Sequence, residues 1–382
     1  MIVFLLISTI TVILYTYIGF PLIVALVALI KQKHVAKDDI SPSVSLIIAA
    51  FNEEKNIVSR LENALNSEYP NEQTQIIVAS DGSTDRTVDL VRQYQKHNVL
   101  LLDLPRRGKI FALQQAVRRA HGDILVFSDA NTLFHPKALR NLVRNFADPK
   151  VGGVCGNQMY GPVQDHDVSA DGETLYWSID KYLKSLESLT GSIVSADGAI
   201  YAIRKELFAM PEMTFVTDDF AISTAVIQKG FRLVFEPEAI AFEPVAGESG
   251  REFGRKVRII NRGLRGVILR KKLLNPLRFG FYSIILISHK ILRRLVPLML
   301  IAAYVFSVMT MHEHSVIFFF FILQSLFYAL ALLGFAFRKK TWGQFKALYI
   351  PFFFCLVNGA ALVALMHILF GRQINNWVPQ RT

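Results

Sequence analysis

The sequence predicts an α/β domain with a mostly parallel sheet, inserted between transmembrane helices. Three observations predict it. The 382-residue chain is 52% hydrophobic yet carries a formal net charge of +11, too apolar for an average soluble protein and rich in basic groups. Apolar runs long enough to cross a bilayer flank a polar middle region. That middle region alternates strand-like and helix-like patterns.

Residues 1–30 hold no charged side chain, and about 20 such residues already span the hydrocarbon core as a helix. A cleaved signal peptide is the competing reading. No basic stretch precedes the run and no small-residue cleavage site follows it, which favours an anchor. Lys31, Lys33, His34 and Lys37 come directly afterwards, so the positive-inside rule places the middle region in the cytoplasm.

The middle region covers 40–250. After Pro42, "VSLIIAA" has the continuous apolar, β-branched character of a buried parallel strand, and Asn52 opens a stretch with helical spacing at Ile57, Leu61 and Leu65. Three further units repeat the scheme: "QIIVASDGSTDRTVDLVRQYQ", "NVLLLDLPRRGKIFALQQAVRRA" and "DILVFSDANTLFHPKALRNLVRNF". Ligands of such sheets sit at the carboxyl ends of the strands. Asn52 and Glu53, Asp81, Gly108 and Lys109, and Asp129 with Asn131 all fall there, so neighbouring strands bring them to one crevice. A helix-capping role competes for Asp81, since "DGSTD" also reads as an N-terminal signal.

Residues 251–294 read as basic amphipathic interfacial helices. Arg255, Arg258, Arg262 and Arg265 recur at helical spacing opposite Phe253, Val257, Ile260, Leu264 and Val267. Their position beside the bilayer argues against nucleic acid as a partner and for membrane lipids. Residues 279–290 either lie flat or enter the bilayer. Three spans follow within 295–371, with "FRKKTWGQFK" as a cytoplasmic loop, and 372–382 form a tail. Cys155 and Cys355 are the only cysteines, read as two unrelated buried thiols.

"SLIIAAFNEE", "ASDGSTDRT", "RGKIFALQQA", "FSDAN", "SADGAIYAIRKELF" and "VTDDF" occur in the order and approximate spacing of family 2 inverting glycosyltransferases, the class that includes the hyaluronan, chitin, cellulose and poly-N-acetylglucosamine synthases. The resemblance covers 43 to about 295. It implies a glycosyltransferase A type nucleotide-sugar-binding domain, with Asn52, Glu53 and Asp81 holding base and ribose and Lys109 near the diphosphate. It implies Mg²⁺ or Mn²⁺ on Asp129; Asn131 replaces the family's second carboxylate, contributes no charge, and takes the lesser part in the metal site.

In the same resemblance Asp219 is the general base, Asp218 its charged neighbour, and Asp197 and Gly198 border the donor sugar. Tyr176 and Trp177 either stack on a sugar or pack a helix. The processive relatives' Gln-any-any-Arg-Trp stands here as "RKVRI", which keeps only Arg258 and implies short products. The expected activity is transfer from a nucleotide-diphosphate sugar, a UDP-hexose or UDP-N-acetylhexosamine, to a growing glycan or lipid-linked acceptor in cell-surface polysaccharide synthesis. The alternatives are a polyprenyl-phosphate sugar transferase and a non-catalytic nucleotide-binding scaffold of an export complex. A homo-oligomer or an export partner is a further expectation.

Overall fold

A computed structural model describes residues 1–161, 171–209, 216–244, 249–338, 340, 343 and 345–372. Most of the expected tail, 373–382, lies outside the described residues, as do parts of the loop 337–346.

Among the described residues eight strands form one mixed sheet in the order β3-β2-β1-β4-β7-β6-β8-β5. They are β1 (Val44–Ala50), β2 (Thr74–Asp81), β3 (Val99–Leu104), β4 (Ile124–Asp129), β5 (Leu133–Phe134), β6 (Val151–Tyr160), β7 (Tyr201–Arg204) and β8 (Arg232–Glu243). The four units read from the sequence build the parallel half, with Leu46 opposite Ile76 and Val126. Beyond β4 the direction changes: β7 runs antiparallel to both β4 and β6, and β8 is parallel to β6. The fold is the expected glycosyltransferase A type, with apolar helices at both flanks.

Alternation along β1 sorts its side chains into two cores. Leu46 and Ile48 pack with Ile57 and Leu61 of the helix Ile57–Leu65. Ile47 and Ala49 share the other core with Ala112 and Leu113 of Lys109–Arg119. That second core also contains Phe20 and Val24 of the first apolar helix and Tyr282, Ile285 and Leu286 of a later one. The anchor is therefore welded to the domain rather than tethered to it. Full burial of side chains such as Phe20 and Val24 contributes about 1.5–3 kcal/mol each.

The stretch after the anchor is also docked. Arg232 donates to the carbonyls of Lys33 at 2.7 Å and His34 at 3.2 Å, and Lys37 pairs with buried Glu236 at 2.8 Å.

Among the described residues four helices are long and apolar enough to cross a membrane: Ile2–Lys31, Phe281–Thr310, Ser315–Phe337 and Lys346–Leu369. Residues 281–290 are the first turns of the second, so they add no separate crossing. The last helix packs along the basic amphipathic helix Ser249–Leu269. Val257 and Ile260 meet Ala360, Ala361 and Ala364, and farther along Arg265 donates to the Arg372 carbonyl at 2.8 Å.

Candidate active site

The loops after β1 and β2 are locked together. Asn52 has φ +54°, a region asparagine tolerates better than most residues. Its N–H donates to Ser83 Oγ at 3.1 Å and its Oδ1 accepts from the Thr84 N–H at 2.7 Å. The Glu53 N–H donates to Thr87 Oγ1 and its carboxylate accepts from Asn56 Nδ2, both at 2.7 Å.

Asp81 is fully buried. Its carboxylate accepts from Arg106 Nη1 at 2.8 Å and from the N–H groups of Arg107 at 2.8 Å and Gly108 at 2.9 Å. A carboxylate out of water takes the backbone donors nearest to it, so both oxygens are spent on the Arg106–Gly108 loop. Gly82, at φ +69°, lets that loop approach: a Cβ there would lie 2.7 Å from Arg106 N.

The loop delivers Lys109, the first residue of its helix, into the centre of the site. Its Nζ lies 2.7 Å from Asp129 Oδ1 and 3.1 Å from Asp218 Oδ2. Burial works to strip its proton, but the two carboxylates outweigh burial and hold the ammonium above the ordinary lysine range.

Asp218 and Asp219 open the helix Asp218–Gln228, where the helix dipole favours negative charge. Their environments separate them. Burial raises Asp218, but the Lys109 ammonium and its hydrogen bond prevail, leaving this carboxyl below its usual range. Asp219, buried and beside that negative charge, is pushed up to about 6. A pair driven apart in this way makes the more basic member the candidate proton acceptor.

Asp129 ends β4, so Asn131 stands in the following turn rather than on an extended strand. Asn131 hydrogen-bonds to Glu243, a carboxylate the sequence reading did not single out, at the end of β8. Burial, helped by the nearby Asp129 charge, pushes Glu243 up to about 7. Gly198 separates the two sides of the crevice: a Cβ there would lie 3.7 Å from both Asp129 Oδ2 and Asp219 Oδ2. Beneath them the buried Tyr201 ring stacks on Phe127 with centroids 4.8 Å apart, and its hydroxyl has no hydrogen-bond partner among the described residues. The only sequence signals for Tyr201 and Glu243 were a polar tip within "AIYAI" and an acid ending "AIAFE".

Asp197 faces the other way, pairing with Lys184 and accepting weakly from Cys155 Sγ at 3.9 Å. Both cysteines are free, and burial pushes the Cys155 thiol up to about 12, unsuited to nucleophilic work. Arg258 is half-buried in the field of Arg255 and Arg262, and burial with those charges lowers its guanidinium below the usual range. Tyr176 and Trp177 fall in the helix Asp171–Thr190; their side chains lie outside the described residues.

For a divalent ion the donor set is hard oxygen, suited to Mg²⁺ or Mn²⁺. Asp129 Oδ2 faces the crevice and the Asn131 amide stands two residues on. Among the described residues no three His, Cys, Asp or Glu side chains close on one point. The residues thus fit an ion that takes most of its ligands from phosphate and water, as Mg²⁺ commonly does.

Residues 45–209 match the model of Glycosyl transferase family 2. The poly-beta-1,6-N-acetyl-D-glucosamine synthase of Staphylococcus aureus (strain COL) is 27% identical over 253 residues, which is 63% of this chain and 58% of that protein. The synthase of the same name from Staphylococcus epidermidis is 26% identical over 257 residues with the same shares. The match thus spans less than two thirds of the length of these curated relatives. Among solved structures, the mannosyltransferase PcManGT from Pyrobaculum calidifontis, in complex with GDP-Man and Mn²⁺, superposes with a TM-score of 0.70 at 22% identity, over 97% of this chain and 100% of that one; the likeness is one of fold. The matched stretch holds the strands whose ends line one side of the crevice, and through it the chain is similar to glycosyl transferase family 2.

Proposed function

We propose that this chain is a membrane-embedded inverting glycosyltransferase. It moves a sugar from a nucleoside-diphosphate donor, a UDP-hexose or UDP-N-acetylhexosamine, to a growing glycan or lipid-linked acceptor in cell-surface polysaccharide synthesis. The observation that carries the reading is the pair across Gly198: a buried Asp219 pushed up to about 6, facing the same gap as Asp129 at the end of β4.

The Asn52, Glu53 and Asp81 loops wall the nucleoside end. Lys109 and the Arg255, Arg258 and Arg262 side of the amphipathic helix set a positive field for the diphosphate. Asp129, with Asn131, holds the ion, which when bound offsets charge on the diphosphate. Gly198, with Asp197 beside it, leaves room for the sugar. Asp219 takes the proton of the acceptor hydroxyl as its oxygen attacks the anomeric carbon, opposite the departing diphosphate. Asp218 keeps Asp219 basic. The domain lies on the cytoplasmic side, where the donor is made, and products are short.

Nucleoside diphosphate release by purified, reconstituted protein across a panel of UDP- and GDP-sugars with Mn²⁺ tests the reading. Release from one donor, lost in Asp219→Asn, is the expected result; donor binding without any release with any acceptor overturns it. Calorimetry adds an independent check of the ion: chelator or Asp129→Asn weakens donor binding, and unchanged donor affinity would remove the metal from the account.

A further inference from the structure

Asn131 differs from an aspartate in a way that matters to an ion: the two ends of its side chain are unlike. The carbonyl oxygen can ligate a hard cation, whereas the NH₂ end only donates hydrogen bonds. A carboxylate serves in either orientation. An amide turned the wrong way presents donors where an ion needs an oxygen, so the turn that carries Asn131 requires something that tells the two ends apart.

The backbone of that turn is held without the Asn131 side chain. The Thr132 N–H donates to the Asp129 carbonyl at 3.4 Å. β5 follows at once, antiparallel to β8 with Leu133 opposite Phe242 and Phe134 opposite Ala241, and the His135 N–H donates to the Ile240 carbonyl at 3.0 Å. On the outer edge of β5 the Asn63 side chain accepts from the Phe134 N–H at 2.7 Å and donates to the Phe134 carbonyl at 2.8 Å. These bonds fix where Asn131 stands. None of them reaches its amide, whose last torsion is broad and two-fold.

Glu243 supplies the discrimination. It ends β8, the strand against which β5 is laid, and it hydrogen-bonds to Asn131. A carboxylate has acceptors only, so this bond selects the NH₂ end of the amide and turns the carbonyl oxygen away from β8. Glu243 is itself held in place. Gln158 of β6, diagonal to it on the same face of the sheet, donates Nε2 to its Oε2, and the Glu243 carbonyl accepts from the Gly161 N–H at 3.1 Å. The arrangement works against a repulsion, because Glu243 sits within the field of the Asp129 carboxylate and like charges destabilise each other. Packing the end of a strand gives no reason to keep a carboxylate there.

Resting on the glycosyltransferase reading and its ion at Asp129, we infer that Glu243 is a positioning residue for that ion. It fixes the Asn131 amide with its oxygen presented to the metal, and so lets an amide stand in for a second carboxylate. Glu243 acts on the ion through Asn131 and not as a ligand.

The test is the Mn²⁺ affinity of the full chain in detergent, read from the electron paramagnetic resonance signal of free Mn²⁺ in slightly alkaline buffer with UDP or GDP present, with no turnover needed. Glu243→Gln is close to isosteric and keeps an acceptor for Gln158, but its amide both donates and accepts and no longer distinguishes the ends of Asn131. It weakens Mn²⁺ binding about tenfold, the usual effect of losing a partner that orients a metal ligand. Asn131→Ala weakens binding by a similar factor, and adding Glu243→Gln to Asn131→Ala changes nothing further. Asn131→Asp in the Glu243→Gln background restores the affinity, since either carboxylate oxygen serves. Unchanged affinity in Glu243→Gln overturns the inference. So do losses that add in the Asn131→Ala, Glu243→Gln double variant, which would make Glu243 a ligand in its own right. If the wild-type chain binds no Mn²⁺ with either nucleotide, the ion at Asp129 falls and this inference with it; donor turnover that persists in chelator would then leave the glycosyltransferase reading standing.

Discussion

Across β4 the molecule changes how it holds its functional groups. On the β3-β2-β1-β4 side each group stands at the last residue of a parallel strand or within a few residues after it, and the loops are fastened to one another by backbone donors, as Asn52 is to Thr84 and Asp81 to Gly108. On the β7-β6-β8-β5 side the groups come from elements far apart in the chain. Glu187 meets His289 at 3.0 Å, and Arg262 donates to the Val216 carbonyl at 2.7 Å. The first side is a rigid cradle whose geometry is local. The second exists only once the domain has packed against the apolar helices, so its chemistry is coupled to the membrane-facing part of the fold.

Asp219→Asn probes the junction of the two sides and has the largest expected effect. Turnover falls about 10²–10⁴-fold, the usual contribution of a general base, while equilibrium donor binding persists. Near-normal release by this variant would move the base elsewhere. Phe20→Ala asks whether the anchor is part of the domain. Because Phe20 is buried in the core that holds Ile47 and Phe127, the change costs about 3–5 kcal/mol of domain stability, read by thermal unfolding in detergent. An unchanged unfolding transition would make the anchor a mere tether.

Asp81→Asn tests the cradle. It leaves the Arg106 guanidinium without its buried carboxylate and weakens the loop that carries Lys109, costing about 3 kcal/mol. Stability lost together with activity points to loop positioning, whereas a pure rise in donor KM would restore direct base or ribose binding as its main role.

The smallest effect is in the pH profile. Asp219 works as the carboxylate, so kcat/KM falls as pH drops through about 6, where the proton returns. Burial and the Asp218 charge both raise that value, burial most. Removing the charge in Asp218→Asn therefore moves the acid limb to lower pH. A limb that stays in place in Asp218→Asn would mean that another group sets it.

What the sequence by itself determined follows from periodicity and strand ends. Continuous apolar runs followed by polar turns are local signals, and a parallel sheet has little choice but to collect the residues after its strands along one edge. Asn52, Asp81, Lys109 and Asp129 were legible for that reason, as were the spans, whose length and lack of charge need no partner to be read. The tertiary structure decided the rest. It turned Asp81 inward onto a loop, paired Asp197 with Lys184 rather than leaving it toward Asp129, and brought Glu243 against Asn131 from 112 positions away in the chain. It also laid the helix Lys346–Leu369 along the amphipathic helix. Such pairings depend on long-range packing that minimises buried unpaired charge, and no window of sequence carries that information.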